Sequence, residues 1–332
     1  MSVSLAEFPE ELLERILALA VIAPCTPHPR APWHPHTSSG RKETRGRIAP
    51  LLVSSVFHRI ALPLFYHTLV IHSATQSASL LDALRARPYL ANATRVLVLP
   101  SPSACDAQVL AMLSNLSVLD VSLPHNATMA EDVEPLADGV RKLTGLHWLS
   151  IRKPSGTYLS QPAPRLMLEA LAETVSSCAD LHTTTLSFPL SSDPSMDPLT
   201  SSLSSAPSLT TLRTPLPSLP TSAPAYAEVA QNPVLQRVCL GRDDTPANPF
   251  TVAECDDEET KCAKPTQSPP PTRRRDTFPS SNQRTARARP LPATALFFSA
   301  ARKHSRLVDL IRAGTDVASV GGWRGRSATV VG

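Results

Sequence analysis

One template recurs five times along the middle of the chain. It runs as an apolar residue, two variable residues, an apolar or β-branched residue, one variable residue, another of that kind, two more variable residues, and a stop. It reads Leu116, Leu119, Val121, Pro124; then Leu146, Leu149, Ile151, Pro154; then Leu181, Thr184, Leu186, Pro189; then Leu209, Leu212, Thr214, Pro217; and last Leu235, Val238, Leu240, Asp243. Two apolar slots separated by one residue have the period of a strand covered on one face. The run ahead of each strand is helix-like, as in the segment from Arg165 to Cys178, where Leu166, Ala170 and Val175 share one side. The middle slots fall at 119, 149, 184, 212 and 238, so the period drifts between 26 and 35 residues. A unit of that size cannot bury its apolar face alone and must stack on its neighbours. The expected fold class is therefore α/β, a solenoid with parallel strands, not a single globular core.

Composition narrows the function classes. With 332 residues and a formal charge of +4, the chain is too balanced to be read as a nucleic-acid binder on net charge. The longest apolar run near the start, Ile16 to Ala23, is far too short to span a bilayer, so no membrane partner is expected. The six cysteines, at 25, 105, 178, 239, 255 and 262, are scattered, and no signal peptide precedes them. Reduced thiols and a cytoplasmic or nuclear location are expected.

The amino-terminal segment from Phe8 to Ala20 opens with Pro9 and carries Glu10 and Glu11 in its first turn, both favourable at a helix start. Leu12, Leu13, Ile16, Leu17 and Ala20 form an apolar stripe opposite Glu14 and Arg15. A polar, Pro- and His-rich stretch from 24 to 50 follows, then the segment from Leu51 through Phe57 and Ile60 to Ile71. This pair of segments resembles an F-box, the helical module that docks a substrate receptor onto the Skp adaptor of cullin-RING ubiquitin ligases. The resemblance lies in Pro9-x-x-Leu12-Leu13-x-x-Ile16-Leu17 and in Leu52-Val53-Ser54-x-x-Phe57-x-x-Ile60-Ala61, with Phe57 where that family usually carries tryptophan. The stretch Leu62-Pro63-Leu64-Phe65-Tyr66, leading into a first strand, is similar to many fungal F-box proteins. The resemblance implies adaptor binding through Pro9, Leu12, Leu13, Ile16, Leu17, Val53, Phe57 and Ile60. The 24–50 insert departs from the compact module, whose loops rarely exceed about 15 residues.

Residues 72–242 resemble the irregular leucine-rich repeats attached to F-box modules, with a first helix over Gln76 to Leu90 and a strand over Thr94 to Leu99. That family usually places asparagine where this chain has Pro124, Pro154, Pro189 and Pro217; proline ends a strand without donating to a ladder. Thr184 and Thr214 weaken the fourth and fifth strands. Residues lying between the apolar slots face outward on such strands, which makes Trp148, Arg152, His147, His182 and Arg213 the candidates for contact with a protein substrate. So few arginines argue against phosphate-dependent recognition.

From Asp243 the periodicity stops. An acidic run, Glu254 to Glu259, precedes a Pro-rich basic one around Arg273 to Arg275, and residues 243–292 are expected to be a disordered linker. The last segment, 293–332, starts with one helical pattern in which Leu296, Ala300, Leu307 and Leu310 recur on one side and Gly314 suits a left-handed C-cap. It is expected to cap the carboxyl-terminal end. The domain plan is thus 1–71, 72–242, 243–292 and 293–332.

No glycine-rich phosphate loop, Gly-x-Ser-x-Gly elbow or His-Glu-x-x-His pair is present. Cys25, His28, His34 and His36 have zinc-ligand chemistry, but their spacing matches no structural zinc pattern and four prolines stiffen the segment. A zinc-dependent hydrolase built on them is a distant reading, and neither metal, cofactor nor enzymatic activity is expected. The resemblance implies a substrate-receptor subunit of an SCF-type ubiquitin ligase, holding the adaptor with one end and a protein substrate with the repeats. The alternative is a leucine-rich-repeat scaffold unconnected to ubiquitin, its first helices serving as a cap.

Overall fold

Seven parallel strands make one sheet in strict chain order: β1 (Thr68–Val70), β2 (Val96–Leu99), β3 (Val118–Ser122), β4 (Trp148–Arg152), β5 (Thr183–Leu186), β6 (Thr211–Pro215) and β7 (Arg237–Gly241). This is a computed structural model, and it describes residues 9–22, 46–125, 128–217, 219–241 and 293–314. Most of the 24–50 insert, the 243–292 linker, the tail beyond Gly314 and the Cys25, His28, His34 and His36 group lie outside the described residues.

The middle slots of the sequence template stand level across the sheet. Leu69 pairs with Leu97, Leu97 with Leu119, Leu119 with Leu149, Leu149 with Thr184, Thr184 with Leu212 and Leu212 with Val238. Register is fixed because a slip of one residue would turn the whole apolar row to the other face. Parallel neighbours need a crossover, and helices provide it: α3 (Ala74–Ala86), α4 (Pro88–Ala93), α5 (Asp106–Met112), α6 (Ala130–Arg141), α7 (Pro162–Ser177), α8 (Asp197–Ser205) and α9 (Ala223–Val229). Their apolar sides and the Leu119 row form one continuous core that includes Leu84, Val109, Leu136, Leu171 and Leu199.

The helix read over Gln76 to Leu90 is two helices. Pro88 disfavours helical backbone at the residue before it, and Arg87 leaves the helical region, ending α3 and starting α4. Ser73 caps α3, its hydroxyl accepting from the Gln76 N–H at 3.3 Å, while the Gln76 side chain accepts from the His72 N–H at 2.9 Å. Asp106, fully buried at the start of α5, accepts from the Ser103 N–H (2.7 Å) and hydroxyl (3.0 Å) and from the Ser77 hydroxyl, which ties α5 to α3.

At the amino-terminal end, α1 (Glu10–Val21) and α2 (Ser55–Tyr66) pack together around a second, smaller core of Leu17, Val21 and Ala61, with Phe57, Ile60, Leu64 and Phe65 against it. Arg47 bolts the pair. It donates to the Val21 carbonyl at 2.6 Å and to the Phe65 carbonyl at 3.3 Å, with its guanidinium 5.0 Å from the Phe65 ring centre. Leu62 and Tyr66, on another side of α2, join the main core, so one helix serves both.

The single helix read after residue 293 is also two, α10 (Ala293–Ala301) and α11 (Ser305–Gly314). A tightened turn, with Lys303 donating to Ala300 and His304 to Ala301, re-aims the chain. Helix α10 then packs on the short 3₁₀ turn Pro220–Ser222 and on α9, and α11 runs along β7. The turn changes which residues point inward: Phe297, Ala301, Leu307, Leu310 and Ile311 are buried, whereas Leu296 is exposed. Gly314 is the last helical residue and not a left-handed cap; among the described glycines only Gly156 has positive φ. Its use is close approach, because a Cβ there would stand 2.3 Å from the Val238 carbonyl oxygen. Gly314→Ala is expected to destabilise the protein by about 1–3 kcal/mol as α11 is pushed off β7. A lower urea midpoint at unchanged far-ultraviolet circular dichroism would show it; a wild-type midpoint would place the helix end away from the strand.

Candidate functional site

The residues read as partner-binding fall on two surfaces, one on α1 and α2 and one on the face of the sheet opposite the crossover helices. On the first, helical spacing divides an apolar stripe too wide to be covered by one neighbour. Leu13, Leu17 and Val21 turn inward and are buried, whereas Leu12, Ile16 and Leu19, at spacings of four and three, turn outward with Ile16 55% and Leu19 89% exposed. Leu52 and Val53, on the Ala49–Leu52 turn packed beside α1 and just after it, are exposed as well, as is Val56 at the start of α2. Pro9 is exposed at the head of α1, its carbonyl accepting from the Leu12 and Leu13 N–H groups, and Phe57 and Ile60 are half-buried in the small core. Of the eight residues read as adaptor-binding, Leu13 and Leu17 therefore belong to the interior of the helix pair. Pro9, Leu12, Ile16 and Val53 are left outside. Leu19, Leu52 and Val56 extend the apolar surface. Arg59 of α2 pairs with Glu10 of α1 across the exposed side.

The outer face of the sheet is chemically graded along the strand order. Toward the amino-terminal edge it presents aliphatic residues, Val70, Val98 and Val118, all half-buried. From β3 onward it turns polar. Register sets Asp120 beside Ser150, Ser150 beside Thr185, Thr185 beside Arg213 and Arg213 beside Cys239; two residues earlier, Trp148 stands beside Thr183, Thr183 beside Thr211 and Thr211 beside Arg237.

Four long side chains lie over the small residues of this face, and each is held in place. Arg152 grips Asp120 with its fork, Nε donating to Oδ1 at 2.6 Å and Nη2 to Oδ2, with the Asp120 side chain only 4% exposed. Trp148 donates from Nε1 to the Thr185 hydroxyl at 3.1 Å, and the Arg213 guanidinium sits 5.3 Å above its ring. Beneath them Ser150 and Thr185 are buried, although both lie on the face that no described helix covers. Arg237 donates from Nε to the Thr211 hydroxyl at 2.9 Å.

Of the residues read as substrate-facing, the sheet brings Trp148, Arg152 and Arg213 together. His147 and His182 stand one residue ahead of β4 and β5, on the rim, where their exposed rings meet edge to face at 6.0 Å. Sequence reasoning missed Arg237. The signal was present, since Arg237 precedes the middle slot Val238 as Trp148 precedes Leu149.

Among the described residues no group of three or more His, Cys, Asp or Glu is placed to hold a metal, and no helix is long and apolar enough to cross a membrane. Cys178 is buried, its thiol donating to the Leu143 carbonyl at 3.2 Å, and burial pushes that thiol up from its ordinary value. No family model matches the chain, and no curated protein shows similarity to it.

Proposed function

We propose that the chain is the substrate receptor of an SCF-type cullin-RING ubiquitin ligase, with α1 and α2 as an F-box that holds a Skp-type adaptor and the stacked units as leucine-rich repeats that hold a protein substrate. The observation that carries this reading is the division of the α1 stripe. One side is spent on the helix pair's own small core, and a second apolar side, Leu12, Ile16 and Leu19, is left uncovered beside Leu52 and Val53. An amphipathic helix with an unused apolar side docks by laying that side into a groove. On this reading no residue of the chain does chemistry. It raises the effective concentration of a substrate lysine near activated ubiquitin, in the cytoplasm or nucleus, while the associated RING and conjugating subunits catalyse transfer.

The test is capture of the adaptor by the full-length chain. Leu12→Asp with Ile16→Asp is expected to abolish capture while leaving circular dichroism and melting unchanged, because both side chains already face solvent. Each apolar side chain buried at such an interface contributes about 1.5–3 kcal/mol, so the double change weakens binding at least about a hundredfold. A wild-type chain that fails to capture the adaptor would leave the second reading, a leucine-rich-repeat scaffold whose first helices are a cap. Leu62 and Tyr66 favour that reading, since they seat α2 on the end of the main core.

A further inference from the structure

We infer that the outer face of the sheet binds an extended acidic peptide, its carboxylates received by Arg213 and Arg237 and its aliphatic residues lying on Val98 and Val118, with Trp148 between the two halves. This rests on reading the uncovered sheet face as the partner-binding surface. Three arginines stand on that face, and they differ in what they already hold. Arg152 is satisfied by Asp120. Among the described residues Arg213 meets only the Trp148 ring, and its Nε is shielded from solvent with no acceptor. Arg237 is anchored through Nε to a neutral hydroxyl, and its side chain is exposed. Two of the three guanidiniums therefore meet no anion among the described residues, and both are pre-positioned, so little rotamer freedom is lost when one arrives.

Register sets the spacing. Arg237 pairs with Thr211 and Arg213 with Cys239, so the two cations are diagonal neighbours on adjacent strands, with Cα atoms about 7–8 Å apart. Successive residues facing one way along an extended peptide are about 6.6 Å apart, close to that interval. From β2 to β7 there are five strand intervals, about 24 Å, which about seven extended residues cover. A ligand laid across the strands thus meets valines at one end and arginines at the other, and binds in one direction only. The Arg152–Asp120 pair shows the match this face makes, one fork to one carboxylate.

The probe is a fluorescein-labelled heptapeptide with three valines at one end and three glutamates at the other, titrated with the full-length chain by fluorescence anisotropy. Binding is expected to weaken at least about tenfold when the glutamates are replaced by glutamines, and as much in an Arg213→Gln, Arg237→Gln variant, while Arg165→Gln on the helix side changes nothing. No binding of the acidic peptide, equal binding of the glutamine peptide or full binding by the double variant overturns the inference. Tighter binding of a phosphoserine version assigns the face to phosphopeptides and overturns it too. Equal binding of a heptaglutamate removes the aliphatic half. Adaptor capture read on the same preparations separates the two proposals: capture without peptide binding sinks this inference and keeps the receptor reading, and peptide binding without capture keeps this inference on a scaffold.

Discussion

Arg152→Ala is expected to lower the stability of the protein by about 3 kcal/mol or more, although Arg152 lies on a face that no described helix covers. The side chains of Asp120 and Arg152 are 4% and 19% exposed, which puts the pair well outside the class of surface ion pairs that contribute little. Removing the arginine takes its fork from the buried Asp120 carboxylate, and the desolvation already suffered by that group is offset far less. Replacing both by leucine removes the charge along with its partner and is expected to be close to neutral, within about 1 kcal/mol of wild type. Urea denaturation of Asp120→Leu, Arg152→Leu and the double leucine variant closes the cycle, and a coupling of at least about 2 kcal/mol is expected. If Arg152→Ala unfolds with the wild-type midpoint, the pair is solvated and the outer face is looser than described.

The second large effect is a loss of stability in alkali that tyrosine-to-phenylalanine substitution removes. Tyr226 of α9 is 1% exposed. Its hydroxyl accepts from the Leu190 N–H at 3.3 Å and shares a hydrogen bond of 2.6 Å with the Thr214 hydroxyl, and its ring meets Phe297 of α10 edge to face at 5.5 Å. Burial, only partly opposed by these hydrogen bonds, pushes the phenol up from its ordinary value of 10 to about 12. The folded protein therefore keeps the proton longer than the unfolded chain does. This contribution is complete below pH 10 and is lost as pH rises from 10 through about 12, amounting to about 2–3 kcal/mol across that window. Tyr226→Phe is expected to cost about 1–3 kcal/mol at neutral pH by stranding the Leu190 N–H and removing the phenol partner of the Thr214 hydroxyl, and then to lose less than wild type as pH rises. Urea midpoints of the two proteins measured from pH 8 to 12 should converge; curves that stay parallel would show that Tyr226 does not titrate in that range.

Thr214 shows where sequence reading stopped. The alternation of apolar slots was enough to locate β3 to β7 and to level Leu119, Leu149, Thr184, Leu212 and Val238, because strand period and register follow from the chain's own pattern. A threonine in an apolar slot reads as a weak strand, yet the Thr214 hydroxyl is satisfied by Tyr226, and nothing in the sequence pairs those two residues. Leu12 and Leu13 are indistinguishable by hydrophobicity. Which of them faces inward depends on where α2 lies, and that is set partly by Arg47, which falls in a stretch read as loop. Gly314 reads as a cap from its position and turns out to be needed for close approach to the Val238 backbone, a property of two segments 76 residues apart. The outer-face candidates were legible as a row, but the grip of Arg152 on Asp120 and the seat of Arg213 on Trp148 depend on rotamers that no spacing encodes.

The strict chain order of the seven strands also governs how the molecule assembles and fails. Each strand pairs only with its neighbours in sequence, so every ladder closes a loop of about thirty residues, and no contact between strands waits for the distant end of the chain. Closing a loop of that length costs little more than closing one half as long, about 0.6 kcal/mol for the doubling. Assembly can begin at any adjacent pair and spread outward, as expected for a chain of low contact order. Damage is confined by the same arrangement: a lesion in β3 reaches β7 only by passing through three intact strands, and the outermost strands, each with a strand neighbour on one side alone, depend on α2 and α11 for the rest of their cover.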